Sequence, residues 1–243
     1  MSERSERRRE SIERARAAEA QRRRERRIRF GAAVAALIVI VAVGVVIQLT
    51  RDKADPNAPR PKGVTEVGGG VTVGSAGTGA PVIDIYEDFQ CPICKEFEAE
   101  TGPLLAELAT SGQARLVYHP MSFLGEESDR AANASGCAAD EGRFKEFHDT
   151  LFANQPDGEN TGAWTDDALI ALGQKAGVTG EGFAQCVRDG RYDEWTQQVD
   201  QESSERGVTG TPTVFIDGAE LPRDSYTPAG IRAALPPRSR AFR

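Results

Sequence analysis

Residues 82–94 read Val82-Ile83-Asp84-Ile85-Tyr86-Glu87-Asp88-Phe89-Gln90-Cys91-Pro92-Ile93-Cys94. The first five are β-branched and aromatic over a short run, and predict a strand. Beyond Cys91 the pattern changes period. Ile93, Phe97, Leu104, Leu105 and Leu108 fall on one face of a helix, which Gly102-Pro103 should kink. Ala114–Tyr118 reads as a second strand, so the segment is a strand–helix–strand unit. The two cysteines sit where strand gives way to helix. A thiol there faces unpaired backbone N–H groups and the positive end of the helix dipole, and both favour thiolate. Thiolate is the nucleophile of disulfide exchange. Pro92 suits the first helical turn, where its missing N–H is no loss. Three residues apart on a helix, the two sulfurs can bond with little backbone movement. Cys91 reads as the attacking thiol and Cys94, one turn in, as the resolving thiol.

A C-x-x-C also occurs in zinc sites and structural disulfides. Zinc needs about four N or S ligands at recognisable spacing. This chain has no second C-x-x-C, its other cysteines stand alone at 137 and 186, and its histidines are His119 and His148. Lys95 rather than His follows Cys94, which excludes a c-type haem. A redox pair is the expectation, with no metal and no cofactor.

Downstream, 131–139, 143–152, 166–176, 180–187 and 192–206 read as helices, with Thr165 capping the third. Strands return at 213–217 and 219–221 as a hairpin, and a last helix lies near 228–234. Val208-Thr209-Gly210-Thr211-Pro212-Thr213 leads into the first of these strands; proline at a strand's first position costs no ladder bond.

The run EDFQCPICKEFE, a helical insert and then GVTGTPTVFIDG together resemble the DsbA-like branch of the thioredoxin superfamily, and are most similar to its membrane-anchored actinobacterial members. The resemblance implies a thioredoxin fold of βαβ and ββα halves over 70–235, with the insert at about 125–207. It implies a cis Thr211–Pro212 bond packed against the pair, where Thr211 backbone meets substrate, with Pro92 and Ile93 as active-site support. It also implies a structural Cys137–Cys186 disulfide, which the compartment inferred below would favour over free thiols. The partners it implies are cysteine-containing exported proteins and a membrane re-oxidase, DsbB-like or vitamin K epoxide reductase-like. Two departures stand out. Strong oxidants of the family carry His where this chain has Ile93. Many relatives bury an acid six residues before the first cysteine, where this chain has Ile85; Glu87 shares the face of Ile85, whereas Asp84 and Asp88 lie on the other. His119, His148, Trp164 and Trp195 read as structural, and Phe89 as part of the active-site rim.

Residues 1–29 hold 12 Arg and 6 Glu, a segment of +6 in a chain of −7, which leaves the remainder at −13. The charge of an acidic body argues against nucleic-acid binding. Phe30 to Leu49 is 20 residues without a charge, enough for a helix across a hydrocarbon core of roughly 30 Å. It is too long for a cleaved signal and lacks an A-x-A site, so it reads as an uncleaved anchor. Arginines before the span place the N-terminus in the cytoplasm and the body outside. The segment 50–69, rich in Pro and Gly, reads as a flexible linker, and 236–243 as a loose tail. The sequence leaves two rivals to an oxidase: the same chemistry run as a reductase or isomerase, and a tethered chaperone that binds without turnover.

Overall fold

The structure, a computed structural model, describes residues 55, 57–75, 77 and 79–236. The Arg-rich segment, the apolar stretch 30–49 and residues 237–243 lie outside the described residues. Among the described residues no helix is long and apolar enough to cross a membrane.

Five strands form one sheet. They are β1 (Val71–Val73), β2 (Val82–Asp88), β3 (Arg115–Met121), β4 (Thr213–Ile216) and β5 (Ala219–Glu220), in the order β1-β3-β2-β4-β5. β2 runs parallel to β3 and antiparallel to β4, with Ile85 opposite Tyr118 and Val214. Ile83 and Ile85 of β2 are fully buried, as are Leu116 and Val214 on the strands beside it. Continuous burial on this scale explains the apolar reading of the strands. The parallel pair β2–β3 is joined by α1 (Pro92–Thr110), which buries Phe97, Leu104, Leu105 and Leu108. α1 runs through Gly102-Pro103, with Pro103 inside the helix.

The insert between β3 and β4 holds α2 (Glu126–Asp140), α3 (Phe144–Ala153), α4 (Asp166–Lys175), α5 (Glu181–Arg188) and α6 (Asp193–Glu205). Thr165 caps α4 by accepting from the Ala168 N–H at 3.3 Å. α7 (Pro228–Ala234) closes the chain against α1. α2 is the hub of the insert, packed against α3, α4, α5 and α6. It can be so because its buried run, Ala131–Ala139, consists of Ala, Ser, Gly, Asn and Cys. A Cβ at Gly136 would sit 2.9 Å from both Pro61 and Tyr192, so only glycine admits them.

Pro61 belongs to the segment read as linker, and here the structure differs from the sequence reading. Residues 57–69 lie against the insert. The Lys62 N–H donates to Asp140 Oδ1 at 3.0 Å, and Trp195 Nε1 donates to the Gly69 carbonyl at 3.0 Å. Ala58 is buried. Proline and glycine, which read as linker composition, here shape a fixed strap whose backbone is satisfied by insert side chains.

Candidate active site

Asp88 ends β2, a turn follows, and the Cys91 N–H donates to the Asp88 carbonyl at 2.9 Å. Cys91 is the N-cap of α1, with Pro92 in the first turn. The Cys91 carbonyl accepts from the Lys95 N–H at 3.2 Å, the first bond of the helix. Cys94 is wholly buried one turn on, and Cys91 is nearly so. Both are free thiols here. The Thr211–Pro212 bond is cis, and Cys91 Sγ lies 3.7 Å from the Thr211 carbonyl, which accepts from it when the thiol is protonated. Ile93, 56% exposed, stands beside the pair without burying against it.

The two thiols are driven apart electrostatically. The Cys94 thiol donates toward the Cys91 sulfur and, with Thr211 and the backbone N–H groups of Cys94 and Ile93, holds Cys91 down at about 5 despite the cost of burial. Burial pushes Cys94 well above the usual thiol range; the hydrogen bond to Cys91 and the charges of Glu87 and Cys91 add to it. Cys91 is therefore the thiolate at neutral pH and Cys94 the thiol. Thr211 Oγ1 is buried without a partner, poised to face a charged sulfur.

The depressed Cys91 value acts on stability with a definite sign. A thiolate favoured by the fold stabilises the reduced protein fully above the unfolded thiol range of about 8.5, and loses that effect as pH falls through about 5. The stability of the reduced form relative to the oxidised form should thus rise between pH 5 and 8, which paired denaturant titrations at each pH will measure.

The turn before Cys91 is braced from the insert. Gln155, just past α3, donates through Nε2 to the Phe89 carbonyl at 2.7 Å and to the Cys91 carbonyl at 3.0 Å. Asp88 is fully buried and accepts from Ser128 Oγ at 2.6 Å, the Gln90 N–H at 2.8 Å and the Leu124 N–H at 3.3 Å. Burial nonetheless pushes its carboxyl up to about 7. Beneath Cys94 lies a second polar group. Glu87 of β2, Glu98 of α1 and His148 of α3 are all buried, with one ligand-type atom of each within 4.8 Å of the others. His148 Nε2 lies 3.1 Å from Glu87 Oε2. Glu98 could have been found from the sequence, since it follows Cys94 by four positions on α1. His148 could not, because its place depends on how the insert docks. His119 is also buried; it pairs with Asp84 at 3.0 Å and stacks on Tyr86. Trp164 and Trp195 are core residues, away from the pair in sequence and role. Phe89 packs its ring against His148 and Phe152.

Cys137 and Cys186 form a disulfide with Cα atoms 5.9 Å apart, which ties α2 to α5. It stands outside the Cys91–Cys94 group.

The thioredoxin family model matches residues 66–236. The chain belongs to the thioredoxin family. Within it, DsbA of Mycobacterium tuberculosis is 32% identical in its solved structure, with a TM-score of 0.59 over 68% of this chain and 89% of that one. MdbA of Actinomyces oris, a thiol–disulfide oxidoreductase, is 28% identical, with a TM-score of 0.63 over 75% of this chain and 94% of that one. The disulfide bond formation protein D of Bacillus subtilis is 28% identical over 146 residues, 57% of this chain and 64% of that protein. The chain spans 22% and 23% of two Na+/H+ antiporters of Salinispora that it also matches. The described domain is a thioredoxin-fold domain of the DsbA thiol–disulfide oxidoreductase type, as its sequence resemblance implied.

Within this DsbA-type site, Ile93 is the replaceable element. A histidine there would add a donor and positive charge next to the Cys91 sulfur. Ile93→His should lower the Cys91 value further and make the disulfide more oxidising, read as a higher potential in glutathione redox buffers.

Proposed function

We propose that this protein oxidises cysteine pairs of exported proteins outside the cytoplasm, anchored by residues 30–49, with Cys91 as nucleophile and Cys94 as resolving thiol. One observation carries the oxidising direction: the site stabilises the Cys91 thiolate, which exists only in the reduced enzyme. Stabilising the reduced form makes the disulfide a stronger oxidant. The positive charge that Ile93 does not supply is compensated by the Cys94 thiol, Thr211 and the helix N-terminus. Cys91 should be a milder oxidant than family members whose thiol lies near about 3.5.

The reaction runs in two exchanges. A substrate thiolate attacks Cys91 Sγ of the Cys91–Cys94 disulfide; the S–S bond breaks and Cys94 leaves with the electron pair. Its high proton affinity requires a proton on departure. Glu87 supplies it, taking the place of the acid that relatives carry where this chain has Ile85: burial and the neighbouring Glu98 raise its carboxyl above the usual range, and its Oε1 is buried without a partner. A second substrate thiolate then attacks the substrate sulfur of the mixed disulfide, and Cys91 leaves as a stable thiolate. The substrate ends oxidised by two electrons and the enzyme reduced. An extended substrate peptide pairs with the backbone at Thr211. A membrane re-oxidase linked to quinone, DsbB-like or vitamin K epoxide reductase-like, restores the disulfide.

Two experiments test this. Oxidised full-length protein mixed with a reduced dithiol peptide should transfer its disulfide in one turnover; failure to do so at a potential where glutathione disulfide succeeds would favour the reductase or binding-module reading. Protease added outside permeabilised-wall cells should digest the domain and spare residues 1–29; a protected domain would overturn the orientation.

A further inference from the structure

Cys94, Glu87 and His148 are each at most 3% exposed, so a proton taken up or released by Cys94 has no direct contact with water. The hydrogen bonds beneath the pair lead out through the insert. Glu87 offers Oε2 to His148 Nε2 at 3.1 Å and leaves Oε1 unpartnered. On the other side of the imidazole, Nδ1 lies 3.0 Å from Asp149 Oδ1, and the Asp149 side chain is 54% exposed. We propose that Cys94 exchanges its proton with His148 through Glu87, with Asp149 holding the imidazole from the surface side, a proton reservoir supplied by α3 of the helical insert. This rests on the oxidase reading and on Glu87 as the acid beneath Cys94, and adds the group that refills it.

Geometry restricts the alternatives. The His148 ring is fenced by Tyr118, Phe152, Phe89 and Phe144, with centroids 4.6, 5.0, 5.6 and 5.8 Å away. These rings hold it in the one orientation that points one nitrogen at each carboxylate. The ionisable groups that face it come from four elements: Glu87 from β2, Glu98 from α1, Tyr118 from β3, and Asp149 from α3 itself. Lys145 pairs with Asp149 and lies 3.9 Å from Glu98 Oε2. Burial opposes charge on His148, and the hydrogen bonds to Asp149 and Glu87 outweigh it.

One proton moves in each half of the cycle. When Cys94 leaves as thiolate, Glu87 gives it a proton and the His148 imidazolium replaces that proton from Nε2–H, keeping Nδ1–H on Asp149. When the disulfide re-forms, Cys94 yields its proton to Glu87, and Nε2 of the neutral imidazole accepts it. The two halves return His148 to its charged form.

The test uses the full-length protein in detergent, with disulfide opening by a dithiol peptide followed by stopped flow across pH. Asp149→Asn keeps the size and surface position but removes the carboxylate. It should slow opening by about tenfold, the order expected for losing one hydrogen bond to a charged group, and move the alkaline fall of the rate to lower pH, because an imidazolium without the Asp149 carboxylate gives up its charge sooner. His148→Gln should be slowed at least as much. Alkylation of Cys91 against pH should stay unchanged in Asp149→Asn. An Asp149→Asn rate equal to wild type overturns the reservoir, and so does a slowed rate that keeps the wild-type pH dependence, the mark of packing damage. Either result leaves the oxidase reading standing if wild type still oxidises the peptide. A wild type that fails to do so sinks the oxidase reading itself.

Discussion

Replacing Cys91 by Ser should abolish disulfide exchange, and replacing Cys94 by Ser should instead trap it. Both follow from the asymmetry of the pair. Cys91 carries the charge, at about 5, and caps the helix at the edge of the site. Cys94 is wholly buried and held protonated. Serine at 91 leaves no nucleophile that a substrate sulfur can reach. Serine at 94 leaves Cys91 able to attack a substrate disulfide but removes the thiol that would resolve the product. Non-reducing gels of Cys94→Ser after mixing with oxidised model peptide should show a stable adduct, mapped to Cys91 by mass spectrometry. Adducts on Cys94 in Cys91→Ser would reverse the roles.

Removing the Cys137–Cys186 bond should cost stability without costing chemistry. The bond closes a loop of 49 residues, and the chain-entropy relation for a loop near that length gives about 4 kcal/mol. That is a large share of the 5–15 kcal/mol typical of whole domains. The double change to Ala should lower the urea midpoint markedly. Reduction of insulin by the variant, assayed well below its melting temperature, should match wild type, because α2 meets the active turn through Ser128, which donates to Asp88 and accepts from Gln90 Nε2, and not through the disulfide. Loss of activity in a variant that is still folded would place this pair in the electron path.

Much of this architecture was legible in the sequence because local signals agreed with the fold. Thr165 capped a helix where the pattern placed one, and the insert helices begin or end within a few residues of their expected bounds. The two parallel strands were underestimated at their C-terminal ends. β2 continues through Glu87 and Asp88, and β3 through His119 and Pro120, because tertiary pairing accepts polar residues that an apolar run does not predict. The strap 57–69 was illegible for a similar reason: its Pro and Gly residues read as linker, whereas its order comes from Asp140, Trp195 and Gly136, some 70 to 130 positions away. The active pair and Thr211-Pro212 were visible as motifs. The polar floor was not. Glu87 could be placed on the correct strand face by alternation, but its partner His148 comes from a helix whose docking no local pattern records.

The central claim, that Cys91 is the reactive thiolate of the pair, is tested most directly by alkylating the fully reduced protein with iodoacetamide across pH and locating the label by mass spectrometry. The account predicts label on Cys91, with a rate that rises through an apparent value of about 5, while Cys94 stays unlabelled at neutral pH. Label appearing first on Cys94, or a Cys91 rate that rises only near the ordinary thiol value of about 8.5, would contradict it.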